Sequence, residues 1–159
     1  MDNKLYINFS KTQDFDCIDY YLKHIIRRAI ASTLCYEGFE HDAEVSVTLT
    51  DNENIKNLNK KYRNKNTPTD VLSFPMYDLS VEDEESFIDG ETVMLGDIVI
   101  SLERARAQAE EIGNTFVEEV AFLTVHSTLH LLGYDHEAGS DEEEAQCLAQ
   151  KEIIAVLDI

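Results

Sequence analysis

His126-Ser127-Thr128-Leu129-His130-Leu131-Leu132-Gly133-Tyr134-Asp135-His136 gathers three of the chain's 5 histidines into one short stretch. The second follows the first by four residues and the third by ten. On a helix, positions four apart share a face, with roughly 5–6 Å between their β-carbons. Two imidazoles so placed converge on one ion at about 2.0–2.1 Å each. Gly133 tolerates the left-handed conformation that ends a helix, so the chain turns back and carries His136 toward the same ion. Three neutral imidazoles leave one corner of a tetrahedral zinc open to water, which hydrolysis requires. Two plainer readings compete. One is helix-packed histidines beside a loop histidine; the other is a closed structural site completed by Asp135 or Glu137.

Upstream, Thr115-Phe116-Val117-Glu118 is a capping box that opens the histidine helix. Downstream, Ser140-Asp141-Glu142-Glu143 is a second, opening a final helix with Leu148, Ile153, Ile154 and Leu157. Leu5 to Phe9 reads as a short strand. Apolar residues recur at Phe15, Ile18, Leu22, Ile25, Ile26, Ala29 and Ile30, which predicts an amphipathic helix from about Gln13 to Cys35. Val45, Val47 and Leu49 alternate with polar residues in a half-buried strand. Asp51 caps a helix carrying Ile55, Leu58 and Tyr62 inward, and Pro68 is expected to stop it. Strands follow at Val71–Phe74 and Met94–Ile100, and Ser101 caps a helix running to about Ile112. The order β-α-β-α-β-β-α-α-α predicts one α+β domain over residues 1–159, a mixed four-stranded sheet with helices packed around it.

The formal net charge of −19 argues against a general polyanion binder. Five of the 13 basic residues nevertheless cluster at Lys56, Lys60, Lys61, Arg63 and Lys65, with no acid from Ile55 to Thr69. The remainder carries 8 basic side chains against 32 acidic ones, a net of −24. A basic segment on an acidic body admits a phosphate chain in one orientation; cations at a helix end also simply complement its dipole. Tyr77 to Glu91 holds seven acids and no base, the pattern of a solvated loop. No apolar run approaches the ~20 residues a membrane span needs. Cys17, Cys35 and Cys147 lack metal-site spacing and read as reduced thiols of a cytoplasmic protein.

The zincin-like histidine spacing matches one large group of zinc peptidases, which place a glutamate base directly after the first histidine. Here that position is Ser127, whose hydroxyl is no base near neutral pH, so the peptidase reading loses its proton acceptor. Asp135 is an alternative base or an orienting group, though fixing the turn suffices for it. Glu119, seven residues before His126, either hydrogen-bonds an imidazole or is a solvated helical glutamate.

Four separated motifs then fall into a known order: Tyr62-Arg63; Pro68-Thr69-Asp70-Val71-Leu72-Ser73-Phe74-Pro75; Leu95-Gly96-Asp97-Ile98-Val99-Ile100-Ser101; and His126 to His136. Together they closely resemble the YbeY family of bacterial single-strand-specific endoribonucleases, which act in ribosomal RNA maturation and ribosome quality control. The resemblance implies one zinc per chain on His126, His130 and His136 and a catalytic role for Arg63. A guanidinium suits that role because it binds two oxygens of a phosphodiester as negative charge develops. Lys61 and Lys65 are expected as substrate-backbone contacts. The implied partners are single-stranded RNA, ribosomal RNA and ribosome-associated proteins, with no membrane and no DNA. The family usually has glycine where this chain has Ser127, so the added hydroxymethyl is expected to crowd substrate beside the metal. A ribosome-assembly binding factor with a structural metal is the rival from another class, and a metallopeptidase the third. Tyr134, Phe74 and Pro75 could form a base-stacking shelf, but buried aromatics and turn prolines more often serve the core, so no site role is assigned to them.

Overall fold

The computed structural model describes residues 3–77, 90–134 and 140–159. Among them are four strands: β1 (Leu5–Lys11), β2 (Ala43–Thr50), β3 (Val71–Pro75) and β4 (Val93–Ser101). Five helices accompany them: α1 (Tyr20–Tyr36), α2 (Asn52–Arg63), α3 (Leu102–Ile112), α4 (Phe116–Leu131) and α5 (Ser140–Leu157). The sheet order is β1-β2-β4-β3, with β1, β2 and β4 parallel and β3 antiparallel at the edge. The expected mixed four-stranded α+β architecture is therefore present. Most of the acidic run falls in residues 78–89, outside the described residues, and the side chain of Ser140, on which the second capping box depends, lies outside them too.

The period-two alternation of β2 buries Val45, Val47 and Leu49 on one face, where they meet Leu22, Ile26, Ile30 and Leu34 of α1. Ile25 and Ala29, one position off that stripe, face a second cluster with α4 and α5. On the opposite sheet face, Ile55 and Leu58 of α2 pack over Leu72, Phe74 and Val99. The alternation of β3 thus divides its neighbours: Val71 belongs to the main core and Leu72 to the α2 side.

Two helix boundaries differ from expectation. α1 begins at Tyr20, not near Gln13, because Asp19 adopts extended backbone and its side chain accepts from Leu22 N at 2.8 Å. Phe15 and Ile18 still pack on the core, but from a turn closed by Ile18 N donating to Phe15 O at 3.2 Å. A three-residue apolar spacing is shared by a helix and a tight turn, so periodicity alone overran the cap. α2 stops at Arg63, five residues before Pro68, because Asn64 turns left-handed at φ 56°. Asn59, only 3% exposed, holds the following loop by donating from Nδ2 to Thr67 O at 2.9 Å, while Lys65 N donates to Asn59 O.

Gly96 locks the edge strand to the core. It pairs with Pro75 at φ 144°, where an added Cβ would sit 2.2 Å from Phe74 O and 3.0 Å from Leu131 Cδ2. Both the backbone conformation and the space exclude a side chain. Gly96→Ala is expected to lower folding stability by at least about 2 kcal/mol, read from the urea midpoint. A shift within error would show that β3 moves aside freely.

Candidate active site

Helix α4 is apolar on most of its circumference because two layers bury it. Val120, Leu123 and Leu131 join the sheet-side core, while Ala121, Val125 and Leu129 meet Ile25 and Ala29 of α1 and Ala149 and Ile153 of α5. Its start is the predicted capping box: Thr115 Oγ1 accepts from Glu118 N at 3.1 Å, and Glu118 Oε1 accepts from Thr115 N at 3.0 Å. That backbone donor holds the Glu118 carboxyl below its ordinary range. The remaining stripe, at offsets of three, seven and eleven, carries Glu119, Phe122, His126 and His130.

His126 and His130 are both half-buried on this stripe, their ring centroids 4.8 Å apart and the planes inclined by 63°. One helical turn brings the two rings together, as the four-residue spacing required. Just beyond, Gly133 adopts φ 107°. Gly133 N donates to His130 O at 3.0 Å and Tyr134 N to Leu129 O at 3.1 Å. This paired arrangement is a Schellman motif, which satisfies the last carbonyls and reverses the chain. Tyr134 packs on the α4–α5 cluster, consistent with a packing role. His136, with Asp135 and Glu137, lies outside the described residues, and among the described residues no three His, Cys, Asp or Glu side chains gather round one point.

The donor chemistry nonetheless suits a borderline divalent cation such as zinc. Two imidazoles face each other on a partly open surface, and buried amides stand behind the first. Gln146 Nε2 lies 3.3 Å and Gln150 Nε2 2.5 Å from His126 Nδ1, and Gln146 Oε1 is buried without a partner. Sequence reasoning missed both glutamines. The available signal was their own four-residue spacing on a helix face otherwise made of Ala149, Ile153 and Leu157.

Arg63 ends α2 and is exposed, as are Lys61 and Lys65. Lys61 Nζ stands 5.1 Å from the Tyr62 ring centroid, and Tyr62 meets Phe74 edge-on at 5.3 Å. Because α2 packs over Leu72 and α4 contacts β3 from the Val71 side, the basic segment and the histidines flank opposite faces of one edge strand. Phe74 is occupied beneath Tyr62 and joins the α2 cluster, again a packing role.

Two readings of α4 need correction. Ser127 does not crowd a substrate. It is fully buried, four residues from both Leu123 and Leu131, so the helical rotation after His126 carries it onto the sheet-facing side. Its Oγ has no hydrogen-bond partner. Glu119 is neither solvated nor bonded to an imidazole. It is 3% exposed and accepts from Gln108 Nε2 at 3.0 Å, and the same nitrogen reaches Asp70 Oδ2 at 3.3 Å. Asp70 also caps β3, its Oδ1 accepting from Val71 N at 2.8 Å. Burial pushes the Glu119 carboxyl up and the charge of Asp70 adds to this, against hydrogen bonds from Gln108 and Asn114.

Comparison with known proteins defines the class: the chain is a hydrolytic nuclease. The profile of a family described as endoribonuclease YbeY matches residues 7–157. A protein named Endoribonuclease YbeY from Caldanaerobacter subterraneus subsp. tengcongensis is 52% identical over 134 residues, 82% of this chain and 83% of its own. One of the same name from Alkaliphilus metalliredigens is 43% identical over 142 residues, 89% of this chain and 87% of its own. A Thermotoga maritima protein solved in solution superposes with a TM-score of 0.61 at 26% identity, covering 95% of this chain and 88% of that one. The chain belongs to the YbeY endoribonuclease family.

Two measurements test the buried polar groups. Ser127→Ala removes an orphaned hydroxyl and is expected to raise stability by about 1 kcal/mol in urea melts; a loss would mean that the hydroxyl is bonded in solution. Glu119 binds its proton more tightly folded than unfolded. Its contribution to stability is therefore complete below the ordinary value of 4.5 and is lost as pH rises through the raised native value. Stability of Glu119→Gln relative to the parent should increase over that rise; a pH-independent difference would contradict the burial effect.

Proposed function

We propose that the chain is a zinc-dependent, single-strand-specific endoribonuclease of the cytoplasm, acting in maturation of the small-subunit ribosomal RNA 3′ end and in ribosome quality control. The observation that supports this most is the pairing of His126 and His130 on the open stripe of α4, with the chain reversed directly after them. His126, His130 and His136 would hold the ion. When bound, zinc supplies Lewis acidity that brings water within reach of ionisation near neutral pH.

The protein's own groups account for the rest. Arg63 would bind the scissile phosphodiester through two guanidinium N–H groups, whose attraction grows as its oxygens gain charge. Asn59 and the left-handed Asn64 hold the end of α2, so the guanidinium is carried on a braced helix terminus. Lys61 and Lys65 would contact neighbouring phosphates, which positions a strand without reading its bases. An acidic chain of net −19 repels RNA elsewhere, which favours approach along the segment from Lys56 to Lys65. Ribosomal RNA and ribosome-associated proteins are the proposed partners.

Arg63→Ala should still bind one zinc per chain while cleavage of a single-stranded RNA falls roughly 10²–10³-fold. Undiminished cleavage would remove Arg63 from the mechanism. Chelation of the wild type should abolish cleavage and leave the far-UV circular dichroism intact. Global unfolding instead would favour an assembly factor with a structural metal.

A further inference from the structure

Gln146 and Gln150 are one turn apart on α5, and they are 2% and 6% exposed. Both amides end at the same atom, Nδ1 of His126. Burying a polar amide is costly unless a partner is found, and here one ring nitrogen serves two. A neutral imidazole has one N–H and one lone pair, so whichever sits on Nδ1 decides what Nε2 presents to the open side. With both amide nitrogens directed inward, Nδ1 must accept, Nε2 carries the proton, and no cation can bind there. A single in-plane lone pair would also be shared between two donors, at 2.5 and 3.3 Å.

The opposite arrangement resolves these conflicts. The two ends of a side-chain amide have the same shape, so a half-turn about the last bond exchanges oxygen for nitrogen without moving neighbours. Nδ1–H then donates to Gln150 Oε1, with Gln146 Oε1 as the second acceptor of a three-centre bond. The half-turn brings Gln146 Oε1, buried and unpartnered where it lies, to a donor. Nε2 is left with its lone pair directed outward.

We infer that Gln150, assisted by Gln146, is a positioning residue that fixes the His126 tautomer and ring plane so that Nε2 is the metal-ligating atom. A neutral acceptor does this without burying a further negative charge in a chain already at −19. The inference deepens the proposed function and rests on its metal reading, so its test includes a readout that needs no metal.

Long-range nitrogen–proton NMR correlations on histidine-labelled, metal-free full-length protein report which nitrogen of His126 is protonated. Zinc affinity is measured by competition with a chromophoric chelator. The wild type should show the Nδ1–H tautomer. Gln150→Met, close in shape but without the acceptor, should shift His126 toward Nε2–H and weaken zinc binding roughly 10–100-fold. Gln150→Glu, which keeps an acceptor, should restore both, and Gln146→Met should give a smaller loss of the same kind. Amide fingerprints of each variant establish that it is folded. A wild-type His126 protonated on Nε2, or a folded Gln150→Met chain binding zinc as tightly as the parent, overturns the inference. A wild type with the Nδ1–H tautomer that takes up no zinc defeats the metal reading itself, and the positioning role falls with it.

Discussion

Helix α4 must hide two of its three faces, and the rest of the molecule is arranged to let it. Its Val120–Leu123–Leu131 side closes the core against the sheet, and its Ala121–Val125–Leu129 side receives α1 and α5. A helix this apolar is stable only inside other elements. The stripe left over is narrow, and its N-terminal part is covered where Gln108 of α3 reaches Glu119. What stays accessible is the part bearing the exposed Phe122 and the half-buried His126 and His130. Burial of the helix and presentation of the imidazoles are consequences of the same packing.

The same constraint makes the helix terminus matter. A helix sandwiched in this way cannot end by fraying, since its last carbonyls lie close to buried side chains. The Schellman motif at Gly133 satisfies Leu129 O and His130 O and sets the direction in which the chain leaves. Gly96 works at the other side of this corner. Its missing Cβ lets β4 approach Phe74 O and Leu131 closely, so the edge strand and the C-terminal end of α4 are held together. Two glycines thus fix the frame around the histidine pair, each for a different reason: one for its dihedral, the other mainly for its lack of volume.

Charge is distributed with the same economy. The basic segment is confined to α2 and the loop after it, on the face of the sheet opposite α1 and α4. The buried Glu119 and the half-buried Asp70 share one amide donor, Gln108, where two unshared carboxylates would repel. Burial raises the proton affinity of Glu119 and so relieves that repulsion at the cost of a pH-dependent stability.

Local signals were legible in the chain. The caps at Asp51, Ser101 and Thr115, the alternation of β2 and the four-residue spacing of His126 and His130 all depend on near neighbours, and each appears as read. Where a local rule had two solutions, it overran. Phe15 and Ile18 fit a helix as well as a turn, and Asn64 halted α2 before Pro68 could. The direction of Ser127 and the fate of Glu119 were not legible, since both depend on which face of α4 each neighbour covers. Nor were Gln146 and Gln150, which meet His126 across 20 and 24 residues of sequence. The sequence by itself determined the elements, their order and the spacing of the imidazoles, because caps and periodicity act within a few residues. Only the tertiary structure decided what stands behind His126, because burial and hydrogen bonding between helices depend on contacts that no local pattern encodes.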